Sequence, residues 1–192
     1  MDPARPARLP ELIDAAPLTI RRWSPPDAEA MTAMIAASLD HLRPWMAWAS
    51  DEPLAHETRL RQFHAWDRYW ESGRGAVYGV FEAGSPIGGA ALHRRVGPGG
   101  LDIGYWLSAS ATGHGHASRI ASALTAAACA SPGVTFALIS HALDNAASAA
   151  VAQRVGYSPA APPDATNGGV TSWRFECGNG HAAARSGTAG DG

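Results

Sequence analysis

The chain contains no lysine: all 15 basic residues are arginine, set against 17 acids for a formal net charge of -2. Binding nucleic acid or an anionic membrane through charge needs a basic face, so this balance argues against both kinds of partner. Cysteine is nearly absent. Cys129 and Cys177 are too few for a disulfide framework, and without a CxxC pair they suggest no zinc site. No apolar run reaches the roughly eighteen residues of a membrane span. The opening residues, broken by Pro3, Pro6 and Pro10, lack the apolar stretch of a secretion signal. Large apolar side chains are also scarce. Within the 46% hydrophobic content 40 residues are alanine, leaving roughly a quarter of the chain to build a core, low but still globular. The expectation is one cytoplasmic domain, with the missing lysines attributed to a GC-rich coding genome.

Both ends read as weakly ordered: residues 1–17 are rich in proline and arginine, and residues 178–192 in glycine and alanine. Residues 18–177 then form the expected folded domain. Leu18 to Trp23 alternates like a strand, and Ser24-Pro25-Pro26-Asp27 has the form of a helix start. Met31, Met34, Ile35 and Leu39 follow at helical spacing. A second helix is expected from about His56 to Ser72, with Leu60, Phe63, Trp66 and Trp70 inward. The period then changes. Ala76–Glu82, Ile87–Val96 and Leu101–Leu107 read as strands joined by glycine-containing turns. Two further helices, one after Gly115 and one opened by Asp144-Asn145, alternate with strands near Thr135–His141 and Thr171–Glu176. This order implies a single α/β sheet, antiparallel first and then gaining helical crossovers.

The richest segment runs from Asp102 to Ala117, a strand leading through Thr112-Gly113-His114-Gly115-His116 into a helix. Two glycines let a backbone approach an anion, and the free N–H groups of a helix's first turn point at it. The same glycines also suit a plain tight turn. The segment is not a P-loop, lacking Gly-Lys-Ser/Thr, and Ser118 occupies the third glycine of a GxGxxG fingerprint.

In its wider setting the segment resembles the GNAT superfamily of acyl-CoA N-acyltransferases, more narrowly the branch containing bacterial ribosomal-protein alanine acetyltransferases. Leu42-Arg-Pro-Trp-Met-Ala-Trp48 is similar to the Leu-x-Pro-Trp-x-x-Trp stretch of that branch, and Asp102-Ile-Gly-Tyr-Trp-Leu107 to its acidic strand. Thr112–Ala117 stands where its pyrophosphate loop would be. Asn145-Ala-Ala-Ser148 and Arg154-Val-Gly-Tyr157 match its Asn-x-x-Ser…Lys/Arg-x-Gly-Phe/Tyr signature. The resemblance implies a mixed sheet of about seven strands, splayed at an acyl-CoA cleft and flanked by about four helices. It further implies a bulge in the 102–107 strand, backbone groups near Trp106 and Leu107 on pantetheine, and the amides of Gly113, His114, Gly115, His116 and Ala117 on pyrophosphate. Asn145 would add a pantetheine contact beyond its helix-capping role.

The resemblance implies acetyl-CoA as co-substrate, without a metal, and an amine as acceptor. It makes Asp102 the base and Ser148 the acid that protonates the leaving thiolate, with His93 and His141 as rival bases. Departures stand out. The basic head of the loop is Thr112, leaving His114, His116 and Arg119 as candidate cations, so weaker CoA binding is expected. The tyrosine that many members place seven residues after the asparagine is replaced by Ala152. Trp45 and Trp48, in a loop-like stretch, together with His93, are candidate acceptor contacts, and Glu52, Glu57 and Asp51 are possible attractors of a cationic amine. A protein N-terminus, an aminoglycoside or peptide antibiotic, or a free amino acid would all suit such a site as acceptor. Monomer and homodimer are both compatible with the sequence. The alternative to an enzyme is a catalytically weak GNAT-like module that binds CoA or a protein partner.

Overall fold

The computed structural model describes residues 6–160 and 169–178. Eight strands form one sheet in the order β1-β2-β3-β4-β5-β6-β8-β7. They are β1 (Leu12–Ala15), β2 (Leu18–Arg22), β3 (Gly75–Glu82), β4 (Ser85–His93), β5 (Gly100–Leu107), β6 (Phe136–Ala142), β7 (Ser158–Pro159) and β8 (Val170–Glu176). The helices are α1 (Ala28–Ala36), α2 (Leu39–Leu42), α3 (His56–Glu71), α4 (His116–Cys129) and α5 (Ala146–Arg154). Every neighbouring pair is antiparallel except β5 and β6, which run parallel and are joined through α4.

Two short strands, β1 and β7, join the six read from the sequence, making eight against the seven or so that the resemblance implies. Of the segment 1–17 expected to be weakly ordered, residues 1–5 lie outside the described residues, and β1 corrects the expectation for the rest. Ile13 and Ala15 alternate into the core, Leu9 is buried, and the Trp70 indole N–H donates to the Leu9 carbonyl at 2.7 Å. Flanking prolines had hidden a four-residue strand. Residues 179–192 of the expected tail lie outside the described residues.

The β3–β4 hairpin turns through Ala83 and Gly84, both at positive φ, matching a two-residue turn with the twist that a hairpin needs. Two apolar clusters lie against the sheet. One packs α4 residues such as Ile120 and Leu124 with Ile20, Tyr78, Leu92 and Leu101; the other joins α1 and α3 through Trp23, Met31, Ile35 and Phe63. In α3 the inward face differs from expectation: Phe63 and Trp70 are buried, Leu60 and Trp66 half-buried, and the fully buried residue is Arg59. Its charge is met by Glu52, so burial follows the partner rather than hydropathy.

The two cysteines form a bridge. Cys129, the last residue of α4, is joined to Cys177 just beyond β8, across a sequence separation of 48. They make no framework, as expected, but they do tie the crossover helix to the strand beside β6.

Candidate active site

Strands β5 and β6 pair only from Gly100–Ile103 to Phe136–Ile139. Beyond Ile103 the first continues to Leu107 alongside β4, while β6 follows β8 to Ala142, so the sheet opens between them. The expected splay is present, but the expected bulge is not in this strand. Its register with β4 is unbroken from Asp102 to Leu107, and the irregularity falls at Val80/Phe81 in β3.

Which backbone groups face the opening follows from antiparallel alternation. The Ser108 amide donates to the Ile87 carbonyl at 2.8 Å, so the Trp106 backbone also points towards β4. The amides of Tyr105 and Leu107 face the gap. Of the two expected cofactor contacts, the Leu107 amide is open to the gap, whereas the Trp106 backbone is turned to β4 and its ring packs 5.2 Å from Trp48.

A cavity of about 670 Å³ fills the opening and passes from the α1–α3 side to the α5 side. On the α5 side the Tyr105 and Ser148 hydroxyls lie 3.2 Å apart. Asn145 caps α5, its Oδ1 accepting from the Ser148 amide at 3.0 Å, and this fixes Ser148 in the first turn. Burial raises the Tyr105 phenol above its usual range, with the Ser148 contact opposing, so the phenol stays protonated. In the sequence Tyr105 stands out only as part of Asp102–Leu107. No signal in the sequence set it apart, because Ser148, its partner, lies 43 positions away.

Three candidate bases are now distinguishable. His141 is buried with both ring nitrogens engaged: Nδ1 lies 2.8 Å from the Ala142 carbonyl and Nε2 accepts the Trp173 indole N–H at 2.9 Å. It has no lone pair to offer. Asp102 is buried and paired with Arg95, whose Nε donates to Oδ2 at 2.8 Å, and it is not among the cavity-lining residues. Its carboxylate is thus turned to Arg95 and away from the cavity, a placement that does not support the expected role as base. His93 lines the cavity, and its Nδ1 is 2.9 Å from the Tyr69 hydroxyl. It is the cross-strand partner of Asp102. Burial and then Arg95 push its imidazole below the usual range, against the opposing pull of Asp102, leaving it neutral at neutral pH.

The glycine loop keeps its geometry and reassigns its charges. Gly113 (φ 81) and Gly115 (φ 78) are left-handed, and a Cβ at either meets nothing within 4 Å, so conformation rather than space demands glycine. Gly115 precedes α4, and the first intrahelical bond is donated by Arg119, leaving the amides of His116, Ala117 and Ser118 free. Thr112 turns its hydroxyl back to the Ala109 carbonyl. His116 points at Glu82 (3.5 Å), and Arg119 donates to the Ala16 carbonyl, so neither expected cation faces the loop. His114 remains exposed. The cation drawn towards this end of α4 is Arg154, which donates to the Ser118 hydroxyl at 2.7 Å.

At the other end of the cavity, Trp45 and Trp48 are partly exposed on the loop leading to α3. Glu52 and Arg59, both buried, close this end with a pair of hydrogen bonds at 2.8 and 2.7 Å; Arg59 also donates to Gln62 and Thr32. Of the other acids proposed as attractors, Asp51 is exposed and Glu57 faces Arg61 in solvent. Among the described residues no group of three His, Cys, Asp or Glu could hold a metal ion.

A parallel strand pair that splays beside a glycine loop opening a helix leaves a cleft lined with unpaired amides, an arrangement suited to a long ligand that carries phosphates. A family model described as an acetyltransferase (GNAT) domain matches residues 17–158, and the chain belongs to that family. It is an N-acetyltransferase that uses acetyl-CoA as co-substrate. The loop amides and the cleft-facing amides of β5 supply donors suited to the phosphates and thioester of that molecule. Among solved structures, a RimL ribosomal L7/L12 alpha-N-protein acetyltransferase in complex with coenzyme A is 21% identical, with TM-score 0.76, over 86% of this chain and 98% of that one. RimJ of Mycobacterium smegmatis in complex with CoA-disulfide is 20% identical (TM-score 0.72; 92% and 90% covered). The microcin C7 self-immunity acetyltransferase MccE in complex with acetyl-CoA and AMP is 16% identical (TM-score 0.73; 83% and 92%). No curated sequence matches the chain.

Proposed function

We propose that this protein transfers an acetyl group from acetyl-CoA to a primary amine by direct attack in a ternary complex. The observation that carries the reading is the Tyr105–Ser148 hydroxyl pair on one wall of the same cavity that His93 lines. His93 takes the proton from the attacking amine, its ring oriented by Tyr69. The amine nitrogen bonds to the thioester carbonyl carbon, and the developing oxyanion is met by an amide of the unpaired part of β5. Collapse breaks the carbon–sulfur bond. Ser148 gives its proton to the departing thiolate and is recharged by the Tyr105 phenol, which regains a proton from solvent. Asp102 holds Arg95 beside His93 and acts as a positioning residue.

The amides after Gly113 receive the pyrophosphate, with His114 and Arg154 the nearest cations. The acceptor end is the pocket of Trp45 and Trp48, open to a small molecule or to the first residue of a polypeptide. Among the described residues no helix is long and apolar enough to cross a membrane. We place the reaction in the cytoplasm, where acetyl-CoA is made, with a monomer or homodimer as the working unit and no part for nucleic acid or membrane. Incubation with acetyl-CoA, a panel of amines and a thiol reagent tests the reading. Thiol release that depends on an amine supports it; CoA binding without release from any amine overturns it.

A further inference from the structure

The acceptor end of the cavity has an unusual charge inventory. Five of the seven tryptophans of the chain line the cavity: Trp23, Trp45, Trp48, Trp66 and Trp106. Among the described residues lining it, Glu52 is the only acid. Glu52 is already spent on Arg59: the guanidinium is 0% and the carboxylate 2% exposed, and the Leu54 amide holds the same carboxylate at 2.8 Å. The other formal cation on the lining is Arg95, bound to Asp102 behind the wall. The pocket thus offers aromatic faces and a neutralised ion pair, with no carboxylate left over.

We propose that the acceptor is a primary amine carried on an aromatic or large aliphatic body, with no second positive charge. This deepens the amine-acceptor reading above and rests on it. A polyamine or an aminoglycoside brings several ammonium groups, each of which must leave water. Desolvating a charge without a counter-ion is strongly unfavourable, and the buried pair cannot open to serve without stranding Arg59. An apolar body instead gains by covering indole faces, and a single ammonium gains a cation–π contact before it loses its proton. Trp45 and Trp48, 39% and 37% exposed, stand where such a body would enter. The pair also fixes the entrance, since Glu52 adjoins the short helical turn Ala47–Asp51 that bears Trp48, and Arg59 ties it to α3 and to Thr32 of α1.

The test separates binding from turnover. With the full chain saturated with CoA, calorimetry measures the dissociation constants of 2-phenylethylamine, phenylalanine amide, spermidine and kanamycin. In parallel, acetyl-CoA with each amine is followed by thiol release. The expected result is that the first two bind at least about tenfold more tightly than the last two, a preference lost in Trp48→Ala and weakened in Trp45→Ala. Equal affinity, or tighter binding of spermidine or kanamycin, overturns the inference. Apolar amines that bind selectively but release no thiol defeat the transferase reading, and the acceptor role with it, while the preference of the pocket for apolar monoamines is upheld. Thiol release with the polycations alone does the reverse.

Discussion

Replacing both cysteines removes a constraint whose size follows from the topology. The Cys129–Cys177 bridge closes a loop of 48 residues that contains β6, α5, β7 and β8, hence His141, Asn145, Ser148 and Arg154. In the chain-entropy account the unfolded chain regains about 14 cal/mol/K when a loop of this length is opened, or about 4 kcal/mol at 25 °C. Cys129→Ala with Cys177→Ala avoids leaving a lone thiol. At about 2–4 °C per kcal/mol for a domain of this size, Tm should fall by about 8–16 °C. Urea denaturation checks the same quantity independently, and the midpoint should drop with little change in slope. Acetyl-transfer activity at 20 °C should persist, because neither sulfur lines the cavity. A loss below about 1 kcal/mol would refute the reasoning, showing that the sheet and α4 hold this half of the cleft without the staple.

Other expectations test the site residue by residue. Tyr105→Phe keeps the ring and leaves Ser148 without its phenol partner; kcat should fall by about ten- to a hundredfold with the KM for acetyl-CoA unchanged. Combining it with Ser148→Ala should add little beyond the serine change alone, as expected for one relay. Because burial and Arg95 lower the imidazole of His93, the acid limb of kcat/KM should lie below the ordinary histidine value of about 6.5 and vanish in His93→Gln, whose rate should be low throughout. The sign for stability runs the same way: the unfolded chain takes up the proton first, so this residue destabilises the fold as pH drops below about 6.5, a loss that the glutamine variant should lack in a pH series of urea midpoints. Thr112→Arg supplies the missing basic head of the loop, and calorimetry should show CoA binding several-fold more tightly; an equal or weaker affinity would mean that the loop amides, His114 and Arg154 already suffice.

The local chemistry of the chain was readable where it sits within a few consecutive residues. Asp102–Leu107, the turn at Gly113 and Gly115, and Asn145 ahead of Ser148 all fold as their spacing indicates, and together they locate the cleft. What escaped was pairing across distance. Arg59 looks like a surface residue of α3 until Glu52, seven positions away in the preceding loop, is folded against it. Arg95 against Asp102 and Trp173 against His141 are likewise contacts that appear only once the strands are laid side by side. Tyr105 and Ser148 meet across 43 positions, and Cys129 and Cys177 across 48. The β1 strand was missed for a different reason: four residues between prolines carry too little periodicity to register, yet β2 pairs with all of them.

In the proposed reaction Ser148, held by Asn145 and backed by Tyr105, delivers the proton to the departing thiolate. The most direct measurement is the kcat of Ser148→Ala relative to the unaltered protein, with acetyl-CoA and the best amine of the panel at saturation. A fall of about a hundredfold or more is expected, with CoA affinity preserved. An undiminished kcat would contradict it.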